Sequence, residues 1–372
     1  MKRLTFFTLI AAAAALSVSS CDFTTEPSTR EVYGAGYYVL NSGNWGSNDA
    51  NIGIIDFRTS EVFADTFTQA NGKGLGDLAQ DGFVYGSKLY IAVYGSATVF
   101  VTDKLTLKTE KAISEQSPFG GPLSPRHFAA NGGQVFVTFY EGYVGAIDTA
   151  TLELRQLVKV GDNPEGIASS GGKIYVANSG GLNYPDYGHT VSVIDASTFK
   201  VEKEIEVGLN PNRLEVDTEG NVFVLSWGNY SDIAAQLQKI DIKENTVSTI
   251  KEIKNPQEMA MGVGNNLYVI TASYDEDWNQ VTDVVYYNTS EGKYYEIFSD
   301  FATELKNKYS ISTDLCLGEL AQGAVFICTS DYISTGDIYL FDSMGNRHSN
   351  MDSGGMNPVK VIPVSYSFLI EE

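Results

Sequence analysis

Short runs of apolar residues alternate with polar ones and end at Gly, Asn, Asp or Pro along the whole chain, most clearly between residues 163 and 211. Four runs there, 166–168, 173–178, 190–195 and 200–207, carry Val, Ile and Tyr at partly alternating positions. A period of two bounded by turn residues predicts half-buried antiparallel strands, here a four-stranded meander with strands A to D. The unit repeats. The Asp closing strand C returns as Asp56, Asp103, Asp148, Asp195, Asp241, Asn288 and Asp342, at spacings of 47, 45, 47, 46, 47 and 54 residues. An Asn-Pro pair opens strand A at Asn163, Asn210, Asn255 and Asn357. Four strands in a period of this length predict an all-β fold, a seven-bladed β-propeller with four antiparallel strands per blade. The last Asn-Pro is followed by one A-type strand and a short tail, whereas the first recognisable strand, 36–40, is of type B with no A before it. The C-terminal strand is therefore expected to close blade one and remove an exposed edge.

The expected blades are 36–67, 75–113, 126–160, 163–207, 210–253 and 255–298, with a seventh after an irregular insert, 299–312, where 301–309 suits a short helix. A length of 372 residues would by itself suggest two domains, but blades stack into one ring. The hydrophobic fraction of 43% is ample for packing between blades.

Residues 1–20 stand apart. Lys2 and Arg3 precede an apolar stretch, 4–18, too short to span a bilayer, and Val18-Ser19-Ser20-Cys21 follows. This resembles a lipoprotein signal peptide with lipidation at Cys21. Residues 21–32 then read as a lipidated polar tether and 33–372 as the propeller. Loss of Lys2 and Arg3 takes the net charge from −21 to −23. So acidic a surface repels phosphate backbones, and no nucleic-acid partner is expected. Cys316 and Cys328 are expected to flank one hairpin of blade seven. A cross-strand disulfide is conceivable there, but their apolar strands favour buried free thiols.

The blades differ most in their B–C connections: 41–51, 93–98, 139–143, 178–190, 226–236, 271–283 and 329–337. In a propeller these loops share one face with the D–A connections, around the mouth of the central channel. All three Trp residues, Trp45, Trp227 and Trp278, fall in them, with Tyr94, Tyr140, Tyr184, Tyr187, Tyr230, Tyr274 and Tyr332. Aromatic rings in surface turns are hard to ascribe to the core, although some can fold back to cap blade ends. Asn178 joins them as a polar group. The position two after each strand-A Pro predicts a ring of mixed charge near the channel: Asp77, His127, Gly166, Arg213, Glu258, Asp314 and Lys360. Arg126, His127 and Arg213 are the candidates to meet acceptors on a ligand.

Chemistry is sparse. His127, His189 and His348 lie in different blades, and no HExxH, GxSxG, CxxC or P-loop pattern is present. Ser197 and Lys200 match SxxK only within a C–D turn. The acidic loop 274–277 lacks the Gly and spaced acids of a Ca2+ loop. A lactonase-like enzyme would need Asp77, Glu258 and Asp314 to converge on a metal. The expectation is a binding protein, not an enzyme, with no metal and no cofactor.

The unit NPEGIASSGGKIYVANS…TVSVIDASTFKVEKEIEVGLNP resembles the YncE-like seven-bladed propellers over roughly residues 33–366. With the lipobox and aromatic, Asn-rich loops, the whole resembles the BtuG type of Bacteroides surface lipoproteins. That resemblance implies a lipid-anchored protein at the outer-membrane cell surface. It further implies capture of cobalamin or another corrinoid and delivery to a BtuB-like TonB-dependent transporter. A glycan-binding surface lipoprotein would use the same aromatics.

Overall fold

The structure, a computed structural model, describes residues 4–5, 29–56, 61–274, 276–277, 280–296, 308–314 and 323–371. Seven antiparallel sheets stand around a central axis, each with its strands in sequence order apart from blade one. Blade four follows the predicted unit closely: Pro164–Ser170, Lys173–Asn178, Thr190–Asp195 and Lys200–Glu206. The A strands touch one another from blade to blade and form the inner ring.

Blade one is closed by the C-terminus, as the missing A strand predicts. Pro358–Glu371 pairs with Thr29–Asn41, followed outward by Asn51–Asp56 and Glu61–Phe63. Pairing begins at Thr29, inside the stretch expected as a tether, and Leu4–Thr5 adds a two-residue edge against Leu369 and Ile370. Leu4 and Thr5 apart, the stretch expected as a signal peptide and Cys21 lie outside the described residues.

The recurring residues have local physical causes. In five of the blades the Asp at the end of strand C folds the next turn onto its own carboxylate. Asp195 Oδ1 accepts from the backbone N–H of Ser197 and Thr198, at 3.1 and 2.8 Å. Asp103, Asp148, Asp241 and Asp342 do the same. The Ser197 hydroxyl also donates to Asp195, at 2.6 Å, so the SxxK match is turn chemistry. The four Asn before strand-A Pro all hold positive φ, from 44° to 58°, a conformation Asn tolerates better than most residues. Pro then opens the strand, where no ladder donor is lost.

Among the described residues, every core cluster draws on two neighbouring blades. The seam between blades seven and one packs Phe326, Cys328, Ile338 and Leu340 against Val39, Ile55 and Val361. Cys328 is a buried free thiol whose pKa burial pushes up to about 12. Cys316 lies outside the described residues.

Three expectations change. Phe67 belongs to a short helix, Thr66–Asn71, capped by Asp65 and Gly72, and not to a strand. In blade seven strand A is Lys308–Asp314, so it starts within the expected insert. A helix over 301–307 falls outside the described residues, while Lys308 and Tyr309 are strand. Asp314 therefore ends strand A at the far end from the loop face, where Tyr37 donates to it at 3.1 Å.

Candidate functional site

The B–C loops gather aromatic rings into two arcs on one face. In the first, Trp45 of blade one meets Tyr94 of blade two at 6.2 Å between centroids. Tyr94 in turn meets Tyr140 of blade three edge-on at 5.7 Å. In the second, Tyr184 and Tyr187 of blade four and Tyr230 and Trp227 of blade five follow at 6.1, 6.1 and 6.5 Å. Trp45, Tyr184 and Tyr230 are 73%, 76% and 68% exposed, too open to be capping a blade. Tyr94, Tyr140, Tyr187 and Trp227 are half-buried, and the Trp227 indole N–H donates to Gln257 O at 2.9 Å.

Between the arcs lies a polar saddle built on Asn163. Its amide donates to Tyr140 O at 3.1 Å and accepts from Leu182 N at 3.1 Å. Gly181 there approaches the Tyr140 hydroxyl so closely that a Cβ would sit 2.7 Å from it. Tyr332 lies beyond the first arc, its carbonyl held by Asn44 Nδ2 at 3.2 Å. Trp278 and the Tyr274 side chain lie outside what the structure describes.

Arg126 and Arg213 underlie the arcs and spend their donors inside the protein. Arg126 makes a two-pronged pair with Glu165, Nε and Nη2 both at 2.8 Å. Arg213 does the same with Glu258, at 2.9 and 2.8 Å. The Arg126 guanidinium covers Tyr94 and Tyr140 at 5.0 and 5.1 Å from their centroids, and Arg213 covers Trp227 at 5.6 Å.

Two candidates turn inward. His127 sits between Asp81, 3.7 Å from Nδ1, and Glu165, 3.9 Å from Nε2. A bulge in strand A of blade three, across Arg126 and His127, sends it to the channel wall rather than the loops. Burial lowers its pKa despite the Asp81 contact that raises it. Asn178 is buried, its amide donating to Thr190 and Ser192 at 2.9 Å each and accepting from Gly161 N at 3.1 Å. With both amide hydrogens spent and the side chain buried, Asn178 has no donor to offer a ligand.

The expected charge ring is also corrected. Asp77 holds loops together, accepting from Gly46 N at 3.0 Å. Asp81 takes the channel position in blade two, because Ala79 fills the slot that Pro fills elsewhere. Buried Asp81 meets Lys360 at 2.6 Å. Its burial would raise its pKa, but Lys360 and His127 outweigh that and hold it below the usual carboxylate range. Asp77, Glu258 and Asp314, the acids a lactonase-like site would need together, thus have separate engagements. Among the described residues no group of three His, Cys, Asp or Glu could hold a metal, and no helix is long and apolar enough to cross a membrane. The loop face also carries Leu182, Ile333 and Phe119, exposed at 73%, 87% and 90%, which a search for aromatics in B–C loops does not find.

A family described as Domain of unknown function (DUF5074) matches residues 35–311. The chain belongs to this family. No curated protein matches it. Among solved structures this DUF5074 chain is similar to Kuenenia stuttgartiensis hydrazine synthase, at 18% identity and TM-score 0.54 over 69% of this chain and 74% of that one. The Neurospora crassa Pan2 WD40 domain is similar at 10% identity and TM-score 0.52, over 79% and 89%. The dihydro-heme d1 dehydrogenase NirN, in complex with DHE, is similar at 8% and 0.52, over 88% and 74%. At such identities the likeness is one of fold alone.

Proposed function

We propose that the protein is a lipid-anchored surface lipoprotein that binds cobalamin or a related corrinoid on the loop face and passes it to a BtuB-like TonB-dependent transporter. The observation that carries the binding part is the pair of aromatic arcs, drawn from the B–C loops of five successive blades onto one face. Covering one ring buries about 150–250 Å², worth roughly 4–6 kcal/mol as an upper bound. Association costs on the order of 4–15 kcal/mol, so several rings must be covered together. A single sugar or amino acid is too small for that. A corrinoid, with a broad ring fringed by amides and a stackable base, is wide enough. The saddle at Asn163 and Gly181 supplies the polar backbone such amides would meet. The lipid anchor and the transporter rest on the lipobox at Cys21 and on the resemblance to surface lipoproteins, and catalysis forms no part of this reading.

Titration calorimetry of the chain from residue 22 onward, with cyanocobalamin and with neutral oligosaccharides, tests the proposal. Saturable corrinoid binding is expected, weakened well over tenfold when Trp45 and Trp227 are both replaced by Ala, with the melting temperature little changed. Heat from oligosaccharides and none from corrinoid would assign the face to glycans.

A further inference from the structure

The two arcs rest on the same device, used twice. In each, an Arg from strand A of one blade is gripped in two-pronged fashion by a Glu from strand A of the next: Arg126 by Glu165 and Arg213 by Glu258. The Glu165 side chain is only 5% exposed and that of Glu258 15%, so neither pair is a loose surface contact. A fork-to-fork Arg–carboxylate pair fixes the plane of the guanidinium as well as its position. The guanidinium held in this way is what the rings pack around: Tyr94 and Tyr140, at 85° to each other, on Arg126, and Trp227 on Arg213. Asn212 and Gln257 complete the second clamp, one accepting from Arg213 and the other from the Trp227 indole.

We infer that Arg126 and Arg213 are positioning residues that divide the loop face into two preset aromatic subsites, one on each side of the Asn163 saddle. This rests on the reading of that face as a ligand-binding surface. Rings fixed before binding lose little freedom on contact, which is how a stiff scaffold gains affinity. The Arg residues therefore act through the rings and not by touching the ligand. A corrinoid offers two ring systems, the corrin and the nucleotide base on its arm, and the two subsites suit such a two-part ligand.

The test has one reading without ligand and one with it. In the full chain carrying Trp45→Phe and Trp278→Phe, Trp227 is the sole Trp emitter. Glu258→Gln, or Arg213→Lys should that variant not fold, is expected to shift its emission to longer wavelength and raise acrylamide quenching about twofold. Lys keeps the charge but neither the fork nor the flat face. Unchanged emission and quenching would overturn the inference.

For binding, cyanocobalamin is compared with cobinamide, which lacks the nucleotide arm. Glu165→Gln and Glu258→Gln should each weaken cyanocobalamin about tenfold, while only one of them weakens cobinamide. Equal losses for both probes in both variants would mean one undivided site and would overturn the division. If the unmodified protein binds neither probe, the corrinoid reading falls, and the Trp227 emission alone decides whether the clamps hold the rings.

Discussion

Glu215, on strand A of blade five, has its carboxyl in the channel wall, and its pKa is raised from near 4.5 to about 7. Burial is the main cause, and Asp81 adds to it; Lys360, a backbone bond from Met261 and Arg213 pull the other way. The unfolded chain ionises this group before the folded one does. Its stabilising contribution is therefore complete below about pH 4.5 and is lost as pH rises to about 7. The shift corresponds to an effect on the order of 3 kcal/mol. Asp81 and His127 act in the opposite sense: their lowered pKa values mean stability that is lost as the solution is acidified. Glu215→Gln should remove the loss on the alkaline side, raising the urea midpoint at pH 8 while leaving it nearly unchanged at pH 4. A midpoint at pH 8 that fails to rise would show that the carboxyl is solvated. Glu215 has no mark in the sequence beyond its alternation with Arg213. A buried acid and an exposed one look alike until the neighbours from other blades are known. Asp81 is hidden for a related reason, since Ala79 stands where Asn-Pro patterning leads one to look for Pro.

At the scale of elements, the two recurring signals were legible because each has a local mechanism. The C–D Asp folds its own turn, and the Asn-Pro pair combines a left-handed residue with a strand start. The Asn side chains do more than the motif reveals. Asn357 is buried and donates to Gly43 O at 2.9 Å and Asn44 Oδ1 at 2.7 Å, and it accepts from Ser330 Oγ. It thereby ties blade seven to the first B–C loop at the ring closure. Asn357→Ala should cost about 2–4 kcal/mol, from stranded buried partners and a left-handed backbone that Ala disfavours. Thermal unfolding measures this directly, and a loss under about 1 kcal/mol would mean the closure does not depend on that amide. Where such local signals lapse, the sequence does not mark the boundary. Blade seven has no Asn-Pro, so nothing in the sequence marks Lys308 as the start of its strand A or Asp314 as its last residue. The helix Thr66–Asn71 is one and a half turns long, too short for a hydrophobic period to show.

For the whole molecule, periodicity carried most of the fold. Seven similar units cannot bury their faces singly, so each core lies between two blades and the chain ends must meet to complete the last one. The loop face followed from topology once the blades were counted. Its composition was visible in the sequence, but its division was not, because the Arg–Glu clamps join residues 39 and 45 positions apart. Tyr230 and Tyr332 hold positive φ, of 58° and 62°, an unfavourable conformation for aromatic residues. Strain held at two exposed rings on one face fits a surface shaped for contact rather than for stability. Amide hydrogen exchange with and without cyanocobalamin tests the central claim most directly. The account predicts slowed exchange in the loops 41–51, 93–98, 139–143, 178–190 and 226–236, with the C–D turns unaffected. Protection confined to the C–D turns, or none at saturating ligand, would contradict it.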